Sequence, residues 1–272
     1  MLTYFCVHWD CVFGNYFGDV MIEPIVDIST HQDNVSRTKL LASGVRGVYA
    51  KAGYCYYGNG SCWKDSWYQA NSDKFSPVIP FGAYWWFHPG YDGEMQGRFF
   101  VDLLNKSKWS LPPAVDVEDA NHSVSQHEYQ YDLKKCLDVI EEETGVIPVI
   151  YTRATYWNPH VGNPSWASRH KLWIAIYNSW IKHPWKGLTS YLKPAPWDDY
   201  WLWQYSEKGD GPTYGMNVYK SKSIDLDRCN MTEEEWSLYM PNAPEVPEVD
   251  ETKVLKDGIK EVIEKLNLLL EE

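Results

Sequence analysis

The stretch Ala114-Val115-Asp116-Val117-Glu118 reads as a buried strand carrying two carboxylates on one face. Side chains at i and i+2 of a strand share a face, so Asp116 and Glu118 project together while Val115 and Val117 face the other layer. Two carboxylates held side by side in a buried strand repel each other and resist leaving water, which predicts a raised pKa for at least one. A carboxyl kept protonated near neutral pH can protonate a glycosidic oxygen. An ionised neighbour can stabilise an oxocarbenium-like centre or position a reacting group. Taken alone, D-x-E is common, and it serves equally to bind a metal or a basic side chain. The rest of the chain decides between these uses.

Outward from this strand, apolar β-branched runs recur with helical or loop segments between them. Strands are predicted at 24–28, 45–50, 80–86, 114–118, 148–151, 172–177, 201–205 and 223–226. Helices fill the first five gaps. The clearest begins at Ser125, with Glu128 three residues on as a capping box, an apolar stripe of Tyr129, Leu133, Cys136, Leu137 and Ile140, and a stop at Gly145. Residues 92–106 read similarly. Five βα units followed by three strands predict an α/β fold, an irregular (β/α)5(β)3 TIM-like barrel. A flat doubly wound sheet is the alternative, and it lacks the glycine-rich phosphate loop expected after its first strand.

In a barrel the strand C-termini converge on one face, where active sites are built. Asp27 ends the first predicted strand and Asp225 lies in the last, and closure is expected to bring both next to the fourth. Asp27, Asp116, Glu118 and Asp225 then meet at one mouth. Structural carboxylates seldom cluster in this way without cations, so the cluster points to catalysis.

The order of motifs resembles the Chalaropsis-type lysozymes of glycoside hydrolase family 25, over roughly residues 25–229. Ile25-Val26-Asp27-Ile28-Ser29 with Gln32 is similar to the family's opening D-[VI]-S-x-x-Q, and Val48-Tyr49-Ala50-Lys51-Ala52 to its second strand. Phe81-Gly82-Ala83-Tyr84 resembles the G-A-Y strand, with Gln96, Phe99 and Phe100 in the helix after it. Residues 114–119 resemble D-x-E-D, and Pro148-Val149-Ile150-Tyr151-Thr152 and Leu172-Trp173-Ile174-Ala175 the fifth and sixth strands. Trp203-Gln204-Tyr205 resembles W-Q-Y, and Ile224-Asp225-Leu226-Asp227 the closing V-D-L-N.

The resemblance implies hydrolysis of the β-1,4 bond between N-acetylmuramic acid and N-acetylglucosamine in peptidoglycan, in the manner of a phage or prophage endolysin. It implies Glu118 as proton donor and Asp116 as the group that orients or charge-stabilises the 2-acetamido group, or acts directly. Asp27 and Asp225 then tune the network. Tyr84, Trp85, Tyr151, Trp203 and Gln204 are expected against the sugar, with no metal and no organic cofactor. Two positions depart from the family. Trp85 stands where His usually follows G-A-Y, and Ile176 stands where Arg usually precedes the Tyr of the sixth strand. Both are expected to alter subsite shape or the pKa of the acid, and they favour an alternative function as a glycan-binding barrel without turnover.

Composition narrows the partners. A net charge of -12 offers no basic stripe for phosphates, which argues against nucleic acid and against anionic membranes. Aromatic residues make up 16% of the chain, including 15 Trp and 20 Tyr, and rings of this kind stack on sugar C–H groups as well as filling cores. The six cysteines form no CxxC pair. Cys55 and Cys62 share one Gly- and Tyr-rich loop and could bridge in a secreted chain, with free thiols as the favoured expectation. His31, His88, His122 and His127 have no metal-ligand spacing and read as loop or surface groups.

The catalytic barrel is expected over residues 21–240. Residues 1–20 lack a basic start and an apolar core, so they read as an extension and not as a signal peptide, with translation from Met21 as the other reading. An endolysin-like route from host cytoplasm to wall is expected. Residues 241–250 form a Pro/acidic linker. In residues 251–272, Leu255, Ile259, Val262, Leu266 and Leu269 fall at the a/d spacing of a short coiled-coil-like helix, for self-association or for packing back on the barrel. Deleting residues 1–20 is expected to leave activity and melting temperature nearly unchanged, as checked by wall clearing and a thermal melt.

Overall fold

The computed structural model describes residues 21–55, 61–119, 124–177, 192–217 and 222–239. Expectations for the first 20 residues, for His122, for the linker and for the C-terminal coiled-coil-like helix lie outside the described residues.

The described residues form nine strands and six α-helices. They are β1 (Ile22–Ile28), β2 (Gly47–Cys55), β3 (Cys62–Lys64), β4 (Phe81–Trp86), β5 (Ala114–Asp116), β6 (Val149–Thr152), β7 (Leu172–Ala175), β8 (Leu202–Asp210) and β9 (Ser223–Cys229). The helices are α1 (Arg37–Ala42), α2 (Tyr68–Phe75), α3 (Gly93–Asn105), α4 (Gln126–Thr144), α5 (Ala154–His160) and α6 (Glu233–Tyr239). Strand order is β1-β9-β8-β7-β6-β5-β4-β2, and β1 also pairs with β2, so eight strands close a barrel and β3 lies outside it. The first five helices occupy the first five gaps, as the sequence predicts. Neighbours around the barrel are parallel except at β9, which runs antiparallel to both β8 and β1.

Local chemistry sets the boundaries. Ser125 Oγ accepts from the Glu128 backbone N–H at the start of α4, and Gly145 ends that helix at φ 70°. Asp92 caps α3 in the same way, accepting from Met95 N. The second strand runs further than predicted, to Cys55, and turns into the unpredicted β3. Cys55 and Cys62 are register partners there and are disulfide-bonded, which corrects the expectation of free thiols. Alternation in β2 is too disturbed to reveal this hairpin, because the register with β4 shifts between Lys51 and Gly53.

Strand parity divides the core in two. Val48, Ala50, Ala83, Trp85, Val115, Val117, Ile174 and Trp203 belong to the layer between barrel and helices. Ile25, Tyr49, Ala114, Val149, Tyr151, Trp173 and Leu202 fill the lumen. Trp236 of α6 joins the lumen cluster with Ile22 and Cys229, while Arg46 holds Glu233 at 2.7 Å, so α6 stoppers the base of the barrel.

Under the mouth, Tyr49 is fully buried, packs on Trp173 with ring centroids 4.8 Å apart, and donates to the Pro112 carbonyl at 2.8 Å. This arrangement requires glycine at 82, where a Cβ would stand 2.4 Å from the Tyr49 ring. Gly82→Ala is expected to cost about 1–3 kcal/mol by overpacking, read as a lowered melting temperature.

Candidate active site

The lumen opens at the C-terminal ends of the parallel strands into a cleft of about 340 Å³. Asp27, Asp116, Glu118 and Asp225 all line it, with Tyr84, Tyr151 and Gln204. Closure makes Asp27 and Asp225 register partners on β1 and β9. It does not place them beside the fourth barrel strand, as the sequence reading expected. β2 and β4 intervene between β1 and β5. Asp116 and Glu118 therefore face Asp27 and Asp225 across the mouth, which leaves the space between them for a ligand.

Each position has a local cause. After β1, Ser29 and Gln32 form a capping box that closes a short 3-10 turn, with Gln32 Oε1 accepting from Ser29 N at 2.8 Å. Thr30 N donates to Asp65 at 3.0 Å, which fixes this turn against the segment after β3. At β5 the backbone goes on accepting and donating beyond the strand's formal end. Phe87 N donates to the Asp116 carbonyl and Val117 N to the Tyr151 carbonyl, both at 2.9 Å. Glu118 is thereby delivered to the rim, half-buried, on the same side as the buried Asp116.

A hydrogen-bond chain holds the opposite wall. Tyr151 Oη donates to Gln204 Oε1 at 2.8 Å, Tyr177 Oη donates to the same oxygen, and Gln204 Nε2 donates to Asp27 Oδ2 at 2.6 Å. Below them Asp227, wholly buried, accepts from Trp173 Nε1 at 2.7 Å. The Lys51 ammonium sits 3.7 Å from the centroid of the Trp86 ring and supplies positive charge on the β5 side. Asp116 Oδ1 is buried without a hydrogen-bond partner among the described residues, so it is an acceptor a ligand can satisfy.

Burial dominates the electrostatics. It holds the Asp27 carboxyl well above the ordinary range, reinforced by the charges of Asp225 and Asp227. It does the same to Asp116, with the Glu118 charge adding and Lys51 opposing. Burial also raises Glu118 against the pull of Arg153 and Lys51, and raises Asp225 to about 6 with help from Glu207. Burial lowers Lys51, against the nearby carboxylates.

Two of the predicted sugar contacts are corrected. Trp85 is fully buried in the outer layer, where it stacks near Phe100 and donates to Gln96 at 3.2 Å. Trp203 is likewise buried there, donating to the Ile176 carbonyl at 3.0 Å. The lumen positions are their neighbours Tyr84, Trp86 and Gln204, because strand side chains alternate. Ile176 also belongs to the outer layer, so neither departure from the family pattern touches the cleft. One histidine is corrected as well: His88 is buried with Nδ1 2.6 Å from the Asp119 carboxylate. His31 is an exposed turn residue, as expected, at the edge of the cleft. Residues missed as site members include Trp86, Trp173, Tyr177 and Asp227. Counting by twos from Tyr84 and Asp225 finds Trp86 and Asp227.

The model for glycosyl hydrolases family 25 matches residues 26–213. The chain belongs to this family. The fold agrees. A bacterial lysozyme from Streptomyces coelicolor superposes with a TM-score of 0.64 at 21% identity, covering 81% of this chain and 98% of that one. A muramidase from Acremonium alcalophilum does so with a TM-score of 0.61 at 24% identity, covering 80% and 99%. An uncharacterized protein, YegX, of Escherichia coli O157:H7 is 26% identical over 167 residues, which are 61% of this chain and 54% of that protein. The chain spans about half the length of the curated relatives it matches.

Carboxyls raised by burial bind more protons folded than unfolded. Their contribution to stability is therefore present below the ordinary carboxylate range and is lost as pH rises, through about 6 for Asp225. Asp227→Asn keeps an acceptor for Trp173 and removes one buried charge. Its melting temperature is expected to exceed that of the wild type at pH 8 and to match it near pH 4. A lower value at pH 8 would show that the charge itself is needed.

Proposed function

We propose that the chain hydrolyses the β-1,4 bond between N-acetylmuramic acid and N-acetylglucosamine in peptidoglycan. The observation that carries this reading is the cleft with carboxyl groups on two facing walls, all raised by burial. Membership of a glycosidase family and the names of the similar lysozyme and muramidase structures support it.

In this reading Glu118, at the rim and half-buried, protonates the glycosidic oxygen as the bond breaks. Its proton is retained by desolvation. Asp116, deeper and with one unpartnered oxygen, accepts from the substrate's 2-acetamido N–H and so sets that group against the anomeric carbon. Asp27 and Asp225 complete the carboxyl wall facing it, with Asp27 steadied by Gln204 and its two tyrosines. Positive charge developing on the sugar ring is stabilised between these walls in a partly dry cleft. An endolysin-like encounter with the wall belongs to the same proposal.

The test is turbidity loss of purified cell walls. Glu118→Gln preserves shape and removes the titratable proton, so clearing is expected to fall by about 10²–10⁴-fold. Wild-type activity is expected to decline on the alkaline side as the Glu118 proton is lost. Equal clearing by both proteins would overturn Glu118 as the acid. No clearing by either would return the chain to a glycan-binding role.

A further inference from the structure

The β2–β3 hairpin projects from the barrel beside the cleft and bears two exposed aromatics, Tyr54 at 37% and Trp63 at 55% exposure. They are directly opposed partners in that hairpin. Across the other edge of β2, Tyr54 is the partner of Trp86, which lines the cleft. Paired residues on adjacent strands point to the same side of the sheet. Trp86, Tyr54 and Trp63 therefore form one row across β4, β2 and β3, leading out of the cleft and growing more exposed with each step.

A defect in β2 makes this row. Lys51 pairs with Tyr84, both lining the cleft. The register then slips by one residue, so that Gly53 pairs with Trp85 and Tyr54 with Trp86. Without the slip Tyr54 would share the face of Ala52, toward the helices. Gly53 is required at the slip, because a Cβ there would lie 2.2 Å from the Trp63 carbonyl oxygen. The Lys51 ammonium, 3.7 Å from the Trp86 centroid and 5.2 Å from that of Tyr54, ties the first two rings together. On the other face the Cys55–Cys62 disulfide, one residue from each outer ring, locks the two strands.

We infer that Trp86, Tyr54 and Trp63 form an aromatic track on which the glycan strand, bound by its reactive segment in the cleft, continues outward by stacking its sugar faces. This rests on the muramidase reading for the identity of the polymer. Adjacent strands lie about 4.8 Å apart, so the row spans about 10 Å, longer than one hexose ring. Rings that are fixed, flat and half-wet suit sugar C–H faces, whose hydroxyl edges stay in water. The track is continuous with the cleft, which selects a polymer already held there over a separate partner.

The test uses the full chain and separates binding from turnover. In a Glu118→Gln background, Trp63→Ala is expected to weaken co-sedimentation with purified peptidoglycan by about threefold to tenfold, and Trp63→Tyr to restore most of it. With Glu118 intact, Trp63→Ala is expected to raise KM for wall polymer, with turnover of a short fluorogenic disaccharide unchanged. Wild-type-like binding and clearing by Trp63→Ala overturns the track. So does an equal loss on polymer and disaccharide, which places Trp63 at the reacting centre. So does a loss of self-association, read by light scattering, with wall binding intact. If the wild type clears no walls but binds them through Trp63, the track stands and the muramidase reading falls.

Discussion

Carboxyl groups in the neck of a closed barrel cannot all keep their hydration, and the molecule is arranged around that constraint. An isolated ionised carboxylate moved into a low-dielectric interior is so costly that it takes up a proton or finds a partner. Here partners are found, and burial shifts the carboxyls toward the protonated form. Asp27 has Gln204, Asp227 has Trp173, and the β5 side has Lys51 within its field. Those partners are in turn fixed by tyrosines, by ring packing on Tyr49 and by a glycine that leaves room for that ring. The chemistry asked of the cleft exploits the same unfavourable energy that the surrounding network offsets.

Closure supplies the geometry. Because β1 pairs with β2 on one side and β9 on the other, carboxylates far apart in the chain become neighbours in register. The reversal of β9 matters as much. Parallel strands deliver their C-terminal residues to the mouth, whereas β9 delivers residues near its beginning. Asp225 and Asp227 thus reach the mouth from the opposite chain direction, with the disposable length of the strand running downward to Cys229.

The fold was legible because its signals are local: strand runs, the capped helix at Ser125, the stop at Gly145. The cleft carboxylates were legible because they lie at strand ends in an ordered series of motifs. The aromatic contacts were not, since Tyr84-Trp85-Trp86 and Trp203-Gln204 place large residues consecutively and composition alone does not choose between faces. Anchoring the alternation on Asp116 and Glu118 assigns their own strand. Each other strand needs its own anchor, and β2 changes phase within itself at Lys51 to Gly53. The bridge between Cys55 and Cys62 was legible from their shared loop only as an option, because the irregular strand that sets them in register does not show in their spacing. Asp116 lying across from Asp27, and not beside it, is a property of strand order that no single segment encodes.

The helix that stoppers the barrel decides where the described chain ends. Trp236 is inserted at the base, and Glu233 is clamped to Arg46 at the entry to β2, so the chain's last described helix is moored at the pole opposite the cleft. The described chain therefore ends on the side of the barrel away from the cleft. The same mooring grips the barrel at the base, in the way a tool is held at the handle end.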